Sequence, residues 1–334
     1  MAPLLLVAAA TGKQTPAIPL TMASTSGTGG DKGGSQDPRI RDLGREIADE
    51  YAQIRKHYDA PRHPIVLAHG LLGFSELRLA GDYLPAIQYW HGIQAALEAQ
   101  GARVITASVP PSGTIEQRAA KLSDDIAAAA AAEDDTVSSG VNIVAHSMGG
   151  LDARYMASRL RPRGVRVRSV VTVATPHHGS AFADYLIDEM LGPANLRRAY
   201  ALWERTTGFG TGAFAQLTRR YMEREFNPAT PDDPAVRYFS YGAMVRGRPP
   251  LFSPFRQSHR VIEQLEGPND GLVSVQSSKW GAYKGTLVDV SHLDLINWSN
   301  RLRWAVKKWM GQDKMFNAIA FYLDIADMLA KEGL

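Results

Sequence analysis

The chain has 334 residues, 45% of them hydrophobic, and its 37 Lys and Arg against 34 Asp and Glu leave a formal net charge of +3. So small a positive excess argues against nucleic acid as a partner and suits a small or neutral substrate. Cysteine is absent, which excludes disulfides, thiolate metal sites and a cysteine nucleophile and leans toward a reducing compartment.

The apolar run from Ala2 to Ala10 is too short to span a bilayer. It also lacks the preceding positive charge of a secretory leader, and the first arginine is Arg39, late for a mitochondrial presequence. An intracellular location, cytoplasmic or mitochondrial, is favoured over secretion. Residues 21–38 are rich in Gly and Ser, the composition of a flexible linker. The expected division is therefore a flexible segment over 1–38 and a single domain over 39–334.

Residues 41–57 read as a polar leading helix, stopped by Pro61 and Pro64. Then "PIVLAHG" (64–70) reads as a buried strand, "WHGIQAALEAQG" as a helix closed by Gly101, and 103–107 as a second strand. A helix follows over 115–132, opened by Thr114 with Gln117 three residues on. Further strands are expected at 141–145, 167–175, 236–242 and 285–290, with helical patterns at 148–160 and 293–310. Apolar strands that alternate with helices predict an α/β fold, a mostly parallel sheet covered on both faces. In such a sheet chemistry gathers at the carboxyl ends of the strands. Residues 181–233 interrupt the alternation with amphipathic helical patterns, expected to form a helical cap or a mobile lid with Gly208, Gly210 and Gly212 as its hinge. The amphipathic C-terminal segment, residues 315–334, is expected to pack on the fold rather than lie on a bilayer.

"AHSMGG" places Ser147 between a strand and a helix, in a turn so tight that its neighbours two before and two after must be small. Ala145 and Gly149 meet that demand. A serine hydroxyl needs a base, and the base needs a carboxylate to orient it. Downstream, His292 in "LVDVSHLDL" follows a strand and is the expected base. Asp270, in the polar turn "GPNDGLVSV", is the expected acid, preferred to Asp289 within the strand and Asp294 in the following helix. An Asn-Asp-Gly aspartate also commonly bonds its own backbone. Negative charge on the attacked carbonyl calls for two backbone N–H groups, expected from Met148, after the serine, and Leu71, after the glycine that ends the first strand. His177 and His178 either line the cleft or bond as a loop pair, and His146 is expected to point into the packing behind the turn.

"PIVLAHGLLGF", "VNIVAHSMGGLDARY", "VATPHHGS", "NDGLVS" and "SHLD" resemble, in the same order, segments of the bacterial true lipases of the Pseudomonas and Burkholderia type and the fungal and mitochondrial triacylglycerol lipases related to them. The resemblance implies an α/β-hydrolase fold, a triad of Ser147, Asp270 and His292, an oxyanion hole from Leu71 and Met148, and hydrolysis of acylglycerol or other lipid esters. A carboxylesterase, phospholipase or acyltransferase uses the same triad, and an inactive lipid-binding protein is the non-enzymatic alternative. Those bacterial lipases carry a structural calcium ion, and Asp294 matches one of its ligands. The stretch "RPPLFSPFRQSH" supplies no second aspartate, and Trp298 stands where a glutamine is expected. No cofactor is therefore expected, with Asp294 the one weak calcium candidate. A cap rich in Leu, Tyr, Trp and Phe is suited to transient contact with a lipid surface.

Overall fold

Runs such as "IVLA" and "VNIVAH" are apolar at successive positions, so both faces of each strand must be covered. The computed structural model describes residues 43–48, 50–71, 76–77, 87–111, 113–132, 139–162, 164–187, 212–249, 253, 255–297 and 316–334. Its main sheet comprises β1 (Glu46–Ile47), β2 (Ile65–Ala68), β3 (Val104–Thr106), β4 (Val141–His146), β5 (Val167–Val173), β6 (Arg237–Met244) and β7 (Ala282–Val288). These seven strands lie in the order β1-β7-β6-β5-β4-β2-β3 with parallel neighbours throughout. A two-stranded antiparallel ribbon, Glu76–Leu77 with Ile87–Gln88, stands apart from it.

The side chains of β2 show how the two layers arise. Ile65 and Leu67 join one apolar cluster with α1 (Ile93–Ala99), whereas Val66 and Ala68 join another with α2 (Ile115–Ala132) and α3 (Gly149–Tyr155). Successive side chains point to opposite faces of a strand, so an uninterrupted apolar run is the signature of this sandwich. Each fully buried aliphatic side chain contributes roughly 1.5–3 kcal/mol by leaving water. The polar leading helix expected over 41–57 is not what forms. Residues there supply β1, an edge strand registered against Thr286 and Leu287, and the Thr286 N–H donates to the Arg45 carbonyl at 2.8 Å. Pairing with the sheet and burial of Ile47 in the core override a weak local preference for helix.

Of the cap expected over 181–233, the described parts are α4 (Ala181–Tyr185), α5 (Gly212–Gln216) and the helical turns from Arg219 to Ala229. Residues 188–211, with two of the three hinge glycines, lie outside the described residues, as do the N-terminal segment 1–38 and most of the helix expected over 293–310. Asp294–Ile296 is a single 3-10 turn.

Farther along the chain, Arg256–Leu265 forms α6, and the C-terminal segment forms α7 (Ala318–Lys331), packed on the sheet. Asn317 opens α7, its side-chain oxygen accepting from the Ile319 and Ala320 N–H groups, while Phe321, Tyr322 and Leu329 are buried in the core. No described helix is long and apolar enough to cross a membrane.

On α7, Asp327 ties the segment before β2 to the helix. Its carboxylate accepts from the Asp59 N–H at 3.0 Å, Arg55 at 2.9 Å and Lys331 at 2.7 Å. Burial alone raises this carboxyl, but the Asp59 N–H, Lys331 and Arg55 outweigh it and hold it down to about 2, against an ordinary 3.8. A carboxyl depressed in the native state contributes stability present above its unfolded pKa and lost as pH falls through the folded one. Asp327→Asn is therefore expected to lower the unfolding free energy by about 2 kcal/mol at pH 7. In urea titrations the gap to wild type should narrow between pH 4 and pH 2, and a gap independent of pH in that window would refute the argument.

Candidate active site

The turn after β4, a turn between β6 and β7 and the loop after β7 converge on one point. The first leaves β4 at Ser147, whose φ of 56° lies in the left-handed region. Such a conformation costs a non-glycine residue about 1–3 kcal/mol and persists only where its surroundings enforce it. Here the Ser147 N–H donates to the Val173 carbonyl at 2.9 Å, and the Ser147 carbonyl accepts from Thr175 Oγ1 at 2.7 Å. Gly149 has no room for a side chain, because a Cβ there would lie 2.6 Å from the Ala68 carbonyl oxygen. The sharp turn lifts the serine hydroxyl off the end of the sheet.

His292 stands on the loop after β7 and Asp270 on the turn after α6. Main-chain bonds fix the His292 loop: the Val290 N–H donates to the Met244 carbonyl at the end of β6 and the His292 N–H to the Asp270 carbonyl, both at 3.0 Å. Both side chains are buried. His292 Nδ1 lies 2.6 Å from Asp270 Oδ2, and Nε2 lies 2.9 Å from Ser147 Oγ. The carboxylate accepts the Nδ1 proton, which leaves Nε2 as the acceptor facing the serine hydroxyl. Meanwhile Asp270 Oδ1 accepts from the Leu272 and Val273 N–H groups at 2.9 and 2.8 Å. The two readings of an Asn-Asp-Gly aspartate thus hold together, each on its own oxygen.

Gly70 presses against this centre. A Cβ there would lie 2.7 Å from the Ser147 Cβ, so only glycine lets the β2 loop, with Leu71 next in the chain, approach the serine so closely. Among the described residues neither the Leu71 nor the Met148 N–H donates to a backbone carbonyl. Their side chains share an apolar cluster with Leu151, Ala213, Met222 and Phe226, which brings residues from the expected cap region against the site.

The other sequence candidates lie elsewhere. His177 is buried, within 2.9 Å of Thr172 Oγ1 and stacked on Trp280. The His178 N–H donates to Ser277 Oγ. Among the described residues neither ring hydrogen-bonds to Ser147, Asp270 or His292. Asp289 does not sit within β7 but follows it, at φ 62°, and pairs with Arg246 at 2.6 Å. His146 does turn into the packing behind Ser147. Sequence reasoning missed a buried support beneath the site. Arg118 pairs with Asp152 at 2.8 Å and donates to the His69 carbonyl at 2.7 Å and the Pro110 carbonyl at 2.8 Å. A charged pair at helix positions otherwise facing the core was its only trace in the sequence.

Residues 63–259 match the alpha/beta hydrolase fold family. Triacylglycerol lipase 2 of Saccharomyces cerevisiae is 34% identical over 327 residues, an alignment spanning 86% of this chain and 97% of the yeast protein. The chain belongs to the lipase family of the α/β-hydrolase fold. This lipase is also 37% identical over 275 residues to a triacylglycerol lipase of Vibrio cholerae, covering 74% of the one and 83% of the other. In fold it resembles the crystal structure of Staphylococcus hyicus lipase, with a TM-score of 0.60 at 18% identity, over 84% of this chain and 98% of that one. It is a carboxylic ester hydrolase of the serine type.

Calcium, the metal that the resemblance to the bacterial lipases implies, finds no fitting set of ligands among the described residues. Asp294 Oδ2 accepts from the Ser291 N–H at 3.0 Å and Ser291 Oγ at 2.6 Å, closing its own turn. Among the described residues no group of three or more His, Asp and Glu is placed to hold a metal ion, whereas calcium takes about six to eight oxygens.

Proposed function

We propose that this lipase cleaves triacylglycerols, with Ser147 as nucleophile, His292 as general base and acid, and Asp270 as the group that orients the imidazole. The observation that carries the reading is the unbroken line from Ser147 Oγ to His292 Nε2 and from Nδ1 to Asp270 Oδ2. Ser147 Oγ attacks the ester carbonyl carbon while Nε2 takes the hydroxyl proton. The carbonyl oxygen becomes an oxyanion, held by the N–H groups of Leu71 and Met148, each worth about 3 kcal/mol of barrier. On collapse the C–O bond to glycerol breaks, and the imidazolium returns its proton to the departing alkoxide. Water then repeats the sequence on the acyl-serine, giving the fatty acid and free serine.

Triacylglycerol as substrate is supported by the curated relatives, triacylglycerol lipases of S. cerevisiae, Pseudomonas fragi and V. cholerae. The apolar cluster that joins Leu71 and Met148 to Met222 and Phe226 supports a cap over 181–233 that meets the lipid surface. An intracellular setting, which the cysteine-free composition favours, belongs to the same reading.

A fluorophosphonate label followed by peptide mapping tests the nucleophile: the expected adduct is on Ser147, and an adduct on another serine would refute the assignment. The same preparation is assayed on triolein emulsions, short soluble esters and phospholipid vesicles, with and without a chelator. Hydrolysis fastest on the emulsion and insensitive to the chelator is expected. Activity confined to short esters would make the protein a carboxylesterase instead.

A further inference from the structure

Behind the site lies a histidine that this chemistry does not use. His146 precedes Ser147, is 1% exposed, and its ring centre lies 4.6 Å from that of His292. Its Nδ1 is 2.6 Å from the Tyr89 hydroxyl oxygen, which in turn accepts the Gly70 N–H at 3.0 Å. The phenol oxygen thus bonds the Gly70 peptide and the His146 ring at once, and the direction of its bond to Nδ1 follows the tautomer of that ring. Burial, reinforced by the neighbouring His292, holds His146 well below its ordinary 6.5. Burial likewise raises the Tyr89 phenol, so the pair stays uncharged. One hydrogen-bonded line therefore runs from the peptide that leads into Leu71 to the ring packed beside His292.

We propose that Tyr89 and His146 are a positioning pair that sets the Leu71 loop and the His292 imidazole together against the Ser147 oxygen. The proposal rests on the reading of Ser147, His292 and Leu71 as nucleophile, base and oxyanion donor. The surroundings leave the pair little slack. Tyr89 is wedged between the rings of Trp90 and His69, at 5.3 and 5.5 Å. On the other side, a Cβ at Gly70 would lie 3.0 Å from the Tyr89 oxygen and 2.7 Å from the Ser147 Cβ. Movement of the phenol is thus passed to the loop at one end and to the His146 ring at the other. A misplacement of about 1 Å in such a constellation costs about a hundredfold in rate.

The test compares Tyr89→Phe, His146→Leu, His146→Asn and the double variant Tyr89→Phe/His146→Leu on a soluble p-nitrophenyl ester. Each is assayed at a temperature where near-ultraviolet circular dichroism shows it folded, with Ser147→Ala alongside. Tyr89→Phe and His146→Leu are each expected to lower kcat about tenfold to a hundredfold with little change in KM. The double variant should be no slower than the slower single one, since both substitutions break one line. His146→Asn offers Tyr89 a side-chain amide, able to donate or accept, in place of Nδ1 and should recover most of the rate lost in His146→Leu. Wild-type kcat in folded Tyr89→Phe, or losses that multiply in the double variant, would overturn the proposal. Should Tyr89→Phe fail to fold, the Asn against Leu comparison at position 146 decides, and equal rates there would overturn it. Activity retained by Ser147→Ala would instead overturn the reading beneath it, and the pair with it.

Discussion

Ser147→Ala is expected to lower kcat on every ester by about a millionfold while leaving the fold intact. The substitution removes the single oxygen that faces His292 Nε2 and keeps the Cβ that packs on Gly70. Alanine retains the backbone bonds to Val173 and Thr175 that hold the left-handed turn, so stability should change by less than about 1 kcal/mol. Asp270→Asn is expected to cost about ten-thousandfold, because an amide in place of Oδ2 no longer imposes the tautomer that leaves Nε2 free to accept. Since Asp270 Oδ1 also takes two backbone N–H groups, this variant should lose stability as well, unlike Ser147→Ala. Ser147→Ala combined with His292→Ala should be no slower than Ser147→Ala alone, because the two residues act as a unit. Single-turnover kinetics on a chromogenic ester, beside urea unfolding, reads all three. Residual activity in Ser147→Ala within a hundredfold of wild type would remove it as the nucleophile.

The second large effect is on stability. Arg118→Met is expected to lower the unfolding free energy by about 3–5 kcal/mol at pH 7, because it strands the Asp152 carboxylate in the interior. Both side chains are essentially without solvent contact, and Asp152 Oδ1 already has no hydrogen-bond partner among the described residues. Burial pushes the Asp152 carboxyl up to about 6 against the pull of Arg118, from an ordinary 3.8. A carboxyl raised in the native state costs stability as pH rises through that interval, so the cost is complete above about pH 6 and absent below about pH 4. Without Arg118 the carboxyl rises further, and the deficit of the variant should shrink as the buffer is taken from pH 7 to pH 5. Replacing both partners, as Arg118→Met/Asp152→Leu, should recover much of the loss, since two apolar groups of similar volume leave no buried charge. A double variant less stable than Arg118→Met would refute this account. The same pair bears on catalysis: Arg118 holds the His69 carbonyl, one residue before Gly70, so kcat should fall with stability in the single variant.

The contrast between these two sites reflects how each is encoded. Ser147 stood out, and Asp270 and His292 could be proposed as its partners, because a tight turn imposes small neighbours at 145 and 149, and because chemistry in a parallel sheet gathers at the carboxyl ends of its strands. Those are local constraints that leave local marks. Arg118 and Asp152 lie on different helices, and Tyr89 and His146 are 57 positions apart. A charge at a core-facing helix position and a histidine beside the serine leave a trace in the chain, but neither says which distant partner it meets. The mistaken leading helix over 41–57 has the same origin, since β1 exists only because β7 is there to receive it.

By itself the amino-acid sequence determined the α/β layering, through apolar runs that demand cover on two faces, and the tight strand-to-helix turn at Ser147, through its steric demand for small residues. Only the tertiary structure decided how Asp270 divides its oxygens between backbone and His292, which buried charges offset one another, and which phenol links the Gly70 peptide to the His146 ring. The physical reason is range. Periodicity and turn sterics act between residues a few positions apart, whereas a hydrogen bond or a buried ion pair depends on distances of about 3 Å that arise once distant segments are packed together.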